Sequence, residues 1–157
     1  MVAFARGVGE VAGDVRHVLV QTGRAHLYDG YGVHAVVHPV VTAFKPQFMV
    51  TQHGCDSHYS DPLAHMVLTV DAQKMAHRSL HELAHDVCDG RWVALGGGGY
   101  ELVDVVPRSW THLTAIAADR PISLETETPA EWRAHVEEIT GRTAPIRMGD
   151  GVAEKDD

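Results

Sequence analysis

The chain has 157 residues, of which 45% are hydrophobic and 22% charged, a balance that fits one globular domain with a buried core and excludes wholesale disorder. Its 21 Asp and Glu against 13 Lys and Arg leave a net charge of -8, the wrong sign for gripping phosphate backbones by counterion release, so direct nucleic-acid binding is not expected. No stretch approaches the roughly 18 apolar residues of a membrane span, and residues 1–10 lack a continuous apolar signal core, so a cytoplasmic protein with no membrane partner is the expectation.

Residues 1–27 mix Gly7, Gly9, Gly13 and Gly23 with one short apolar stretch, Val18-Leu19-Val20, which offers a single weak strand. Over residues 32–43, Val33, Val36, Val37, Val40 and Val41 recur at helical spacing, with Pro39 either kinking the helix or marking an early turn of it. Lys45-Pro46 stops that helix, and Gln47-Phe48-Met49-Val50-Thr51-Gln52, ended by Gly54, reads as a buried parallel strand. The segment after such a strand sits at its carboxyl end, where open α/β sheets bind ligands.

Residues 55–68 are polar, contain Pro62 and form a loop. Thr69 then serves as an N-cap with Asp71 in the first turn, and Ala72, Ala76, Leu80, Leu83 and Val87 trace one helical face up to Gly90. Residues 91–95 form a second short strand leading into Gly96-Gly97-Gly98-Gly99-Tyr100. A helix is expected over residues 102–118, with Pro107 near its start and Trp110, Leu113 and Ile116 on one face. Strand, loop and helix repeated in this order indicate a parallel α/β fold. Beyond residue 119 the composition turns to Thr, Glu, Pro and Asp, with one short helix over residues 129–139 and an acidic end, residues 149–157, expected to be disordered.

Three features bear on chemistry. Asp56 lies two residues after a glycine at a strand's end, where a carboxylate either binds a cation or caps the loop by accepting backbone N–H bonds. The four glycines before Tyr100 let the backbone approach a ligand closely, yet the Lys and Ser/Thr of a phosphate-binding loop do not come after them, so a tyrosine hydroxyl aimed at a developing oxyanion is the better use of that turn. Twelve histidines invite a metal hypothesis. His77, His81 and His85 have the spacing of a helical metal site but lie opposite the apolar face, so a solvated stripe is expected, while His53 and His58 flank Asp56. Cys55 and Cys88, outside any CxxC pair, read as two small buried thiols.

Asp56 with Asp61-Pro62-Leu63, the run from Leu95 to Tyr100, and Val106-Pro107-Arg108-Ser109-Trp110-Thr111 stand in an order and spacing that resembles the histone-deacetylase superfamily, most nearly the bacterial acetoin-utilization deacetylases. The resemblance covers residues 31–118 and implies the C-terminal part of a three-layer, parallel-sheet arginase/deacetylase fold. Residues 1–30 would be a divergent N-terminal segment and residues 119–157 a polar tail. It further implies hydrolysis of an acetyl-lysine amide, in a protein or a small acetylated compound, with one zinc ion that polarises the carbonyl and activates water. By the same resemblance Asp56 would ligate zinc, Tyr100 would donate its hydroxyl hydrogen bond to the oxyanion, and Leu63 and Gly98 would line the substrate channel.

The family's Asp-x-His ligand pair and His-His base, both N-terminal to the matched segment, are not found there: Asp14 and His17 are one residue too far apart, and no two histidines are adjacent. A catalytic zinc needs three protein ligands and an open position. The expectation is therefore a truncated polypeptide with an incomplete metal site, its alternative being a catalytically inactive remnant or interaction module. A missing part of the sheet would also leave an open edge and an uncovered apolar face, favouring self-association or a complementing chain.

Overall fold

The computed structural model describes residues 33–151 in full and, as backbone alone, residues 2–6 and 16–21. One sheet has the order β1 (Val2–Arg6), β2 (Arg16–Gln21), β3 (Phe48–Gln52) and β4 (Trp92–Leu95). β2, β3 and β4 are parallel, with His17 opposite Phe48 and Met49 opposite Trp92, as the strand and helix order implies. β1 departs from that pattern: it is antiparallel to β2, with Val2 opposite Val20. Contacts divide the chain into two units, Met1–Gly54 with Met75–Gly98, and Cys55–Lys74 with Gly99–Asp157.

In the first unit the valine periodicity produces a π-helical turn, Val33–Val37, running into α1 (His38–Phe44). Pro39 sits in the first turn of α1, directly after the π-helical turn, so it marks an early turn of the helix. Lys45 ends α1 in a left-handed conformation ahead of Pro46, its N–H donating to the Val41 carbonyl at 3.1 Å. Val33, Val37 and Val41 pack with Met49 of β3 and with Leu80, Leu83, Ala84 and Cys88 of α2 (Val70–Cys88) in one apolar core. Along β3 only Met49 and Thr51 are buried, the alternation expected of a strand with one side on that core. β4 forms one edge of the described sheet and leaves Val93 and Leu95 about half exposed.

The second unit begins at the loop after β3. The start of α2 is capped as expected, the Ala72 N–H donating to Thr69 Oγ1 at 3.1 Å. α3 (Val106–Ala117) begins later than residue 102, because the Glu101 carboxylate accepts the N–H groups of Val103 and Asp104 and holds residues 101–105 as a separate turn. α4 (Ala130–Thr140) is the short helix read from the sequence. Two small apolar clusters support these helices: Cys55, Val70 and Val105 with Trp110, and Val103, Val136 and Ala144 with Trp132.

The acidic end requires a correction. Gly149 donates to the Leu124 carbonyl at 2.8 Å and the Asp150 N–H to Asp71 Oδ1 at 2.9 Å, so the start of the segment expected to be disordered is paired. A Cβ on Gly149 would lie 2.8 Å from both Asp71 Oδ1 and Leu124 Cβ, which only glycine avoids. Residues 152–157 lie outside the described residues. No helix of the described residues is long and apolar enough to cross a membrane.

Candidate functional site

The loop that carries Asp56 is fixed on both sides of that residue. The buried Gln73, in the first turns of α2, donates its amide to the Cys55 carbonyl and to Ser57 Oγ, both at 3.1 Å. Further along, Leu68 donates to the Ser57 carbonyl at 3.0 Å and Tyr59 to the Leu68 carbonyl at 2.9 Å, closing the loop on itself. Cys55 is buried, and burial pushes its thiol up to about 11, so it stays protonated and packs as a small apolar group.

Asp61, not Asp56, does the capping in this loop. Its buried carboxylate accepts the N–H groups of Leu63 at 2.9 Å and Ala64 at 3.1 Å through Oδ1, and that of Tyr100 at 2.9 Å through Oδ2. Burial acts to raise its pKa, but the three N–H bonds prevail and hold it below the usual carboxylate range. One side chain thus ties Leu63 to the turn bearing Tyr100. The sequence motif contained Asp61, but its bond to a residue 39 positions away had no sequence signal.

Asp56 is left open. Among the described residues neither its carboxylate nor the Tyr100 hydroxyl has a hydrogen-bond partner, which removes the loop-capping alternative for Asp56. Tyr100 is 52% exposed and Leu63 62% exposed, while Gly98 is partly buried at the end of the first unit. The neighbouring Gly99 has φ +153°, and a Cβ there would stand 2.4 Å from Cys55 Sγ. The close approach of that turn to the Asp56 loop therefore requires a glycine.

A second set of polar groups secures the same loop. Asp150 is buried with Arg108 of α3, whose Nη2 donates to its Oδ1 at 2.7 Å. Asp150 Oδ2 accepts from His58 Nε2 at 2.9 Å and from the Val70 N–H at 2.7 Å. Burial opposes ionisation, yet the His58, Val70 and Arg108 donors outweigh it and lower the Asp150 carboxyl to about 2. His58 also engages Ser60 Oγ through Nδ1 at 2.8 Å, so both of its ring nitrogens are occupied.

The remaining histidines divide by environment. His53 is buried and kept neutral, burial lowering its pKa to about 4. Trp92 Nε1–H donates to Thr51 Oγ1 at 2.7 Å, and the Thr51 hydroxyl then donates to His53 Nε2 at 2.5 Å. His112 is buried, its Nε2 bonded to the Met148 carbonyl at 3.2 Å. The solvated stripe on α2 needs revision: His77 is buried against the ring of His53, His81 is partly buried, and His85 is exposed. At about 100° per residue His77 stands only a quarter-turn from the apolar face, and His85 alone lies opposite it.

Among the described residues no three His, Cys, Asp or Glu side chains come together as a metal-binding group. Asp56 fits one corner of a zinc site, and the residues present do not make a complete one.

The histone deacetylase domain model matches residues 5–117. The acetoin utilization protein AcuC of Bacillus subtilis is 40% identical over 93 residues, covering 59% of this chain and 24% of that protein. AcuC of Staphylococcus xylosus is 34% identical over 115 residues, covering 73% of this chain and 29% of that protein. Among solved structures, the HDA15 HD domain aligns with 55% of this chain and 22% of that one at 26% identity, with a TM-score of 0.43. The chain thus spans less than a third of the length of these curated relatives.

Proposed function

The chain belongs to the histone deacetylase family, and on that premise we propose that it carries the Asp56 and Tyr100 part of a zinc-dependent deacetylase site within the arginase/deacetylase three-layer fold. The substrate class is an acetylated lysine of a protein or a small acetylated compound. One observation carries the reading: Asp61 takes the N–H groups of Leu63, Ala64 and Tyr100, and the Asp56 carboxylate and Tyr100 hydroxyl are left without hydrogen-bond partners among the described residues. Polar groups that hold no part of the fold together are free for a metal and a substrate.

Zinc, when bound, supplies a Lewis acid for the amide carbonyl and lowers the pKa of water. Asp56 contributes one negatively charged ligand. Tyr100, on a turn fixed through its own backbone N–H, presents a hydroxyl donor to the oxygen on which charge develops. Leu63 offers an exposed apolar side chain to the aliphatic stem of lysine. A complete site on this reading would need the family's N-terminal Asp-x-His pair and His-His base, which these 157 residues do not supply and a complementing chain could.

The second reading, an inactive remnant or interaction module, draws on the absence of any three-ligand group among the described residues. Coexpression with a polypeptide carrying the two missing motifs separates them. The expected result is a complex with about one zinc that cleaves an acetyl-lysine reporter. Tyr100→Phe lowers turnover by about 10²–10³-fold while keeping the metal, and Asp56→Ala loses it. A complex with no zinc and no turnover overturns the enzyme reading.

A further inference from the structure

On α2 the exposed His85 and the partly buried His81 stand one helical turn apart with their Nε2 atoms 3.1 Å from each other. We propose that His81 and His85 form a surface site for a divalent transition-metal cation of the nickel and copper class, independent of the deacetylase residues.

Geometry carries the assignment. Two imidazole nitrogens bound to one ion at about 2.1 Å and separated by 3.1 Å subtend about 95° at the metal, the angle between adjacent ligands in square-planar and octahedral coordination. Both rings are already held. A Cβ on Gly90 would lie 2.8 Å from the His85 ring, so that ring packs directly on a glycine backbone at φ +73°. The His81 ring lies against Trp92 with centroids 5.3 Å apart. Little side-chain freedom is left to lose on binding. Without metal, one Nε2–H donates to the other ring's lone pair; binding moves that hydrogen to Nδ1 of the same ring, with no change of charge, and frees two Nε2 lone pairs.

Electrostatics favour a cation here. His85 is in the last turn of α2, where the carbonyl ends of the helix attract positive charge. Two neighbouring carboxylates are paired, Glu82 with Arg78 at 2.8 Å and Asp89 with Arg91 at 3.1 Å, while the exposed Asp86 adds negative charge beside His85. Another close pair, His34 and His38, differs: both Nε2 atoms meet the buried hydroxyl of Ser79, at 3.2 and 3.1 Å, so a metal there must first displace it.

The test is calorimetric titration of Ni2+ and Cu2+ into the chelator-stripped chain, with folding followed by circular dichroism. Copper should bind more tightly than nickel. His85→Ala and His81→Ala should each weaken nickel binding about a hundredfold, the loss of a second donor held at fixed distance. His34→Ala and Asp56→Asn should leave it unchanged. Equal affinity in wild type and in both α2 variants, or a loss caused by His34→Ala or Asp56→Asn, overturns the proposal.

Discussion

In the sheet-bearing unit, Val41, Met49, Leu80 and Leu83 meet in one apolar core. In the unit that carries Asp56 and Tyr100 the apolar clusters are small, and buried polar groups join segments far apart in sequence: Asp150 holds His58 and Arg108, and Asp61 holds Tyr100. The difference teaches how a fold reconciles stability with an exposed site. Apolar packing tolerates some sliding, whereas a carboxylate that accepts three directed hydrogen bonds fixes position as well as energy.

The comparison is broken most severely at Asp150. Asp150→Ala leaves the Arg108 guanidinium buried without its counter-charge and should cost about 3–5 kcal/mol, measured by urea denaturation at pH 7. Leu80→Ala, in the apolar core, should cost about 3 kcal/mol through the cavity it leaves, and the same amount at pH 7 and pH 3. Acid sharpens the contrast further. Because the Asp150 carboxyl is held at about 2, below its unfolded value of 3.8, its stabilising contribution is present above that unfolded value and is lost as pH falls toward 2. That contribution is about 2 kcal/mol, and the cost of Asp150→Ala should shrink across the same window. A cost for Asp150→Ala that does not change with pH would show that Asp150 acts by shape instead of charge.

The same contrast explains what was legible in the sequence. β3, α2 and α4 emerge from apolar periodicity and caps, because those signals are local. The loop that carries Asp56 and the turn that carries Tyr100 were legible through the glycines and prolines around them. The anchors were not: His58 and Asp150 are 92 residues apart, Gln73 lies on a helix read only for its apolar face, and an acidic end looks disordered until its carboxylate meets a buried arginine. The histidine stripe was misread at His77 because a helix turns steadily, so residues four apart drift around it by about 40°.

Descent should treat the two aspartates of this loop differently. The Asp61 carboxylate is retained by folding, since the loop and the Tyr100 turn both hang on it. Asp56 and the Tyr100 hydroxyl have no such protection. In a lineage released from selection for chemistry, mutations should accumulate at those two positions while Asp61 persists, so the pair records whether an ancestor last needed a catalyst or only a fold.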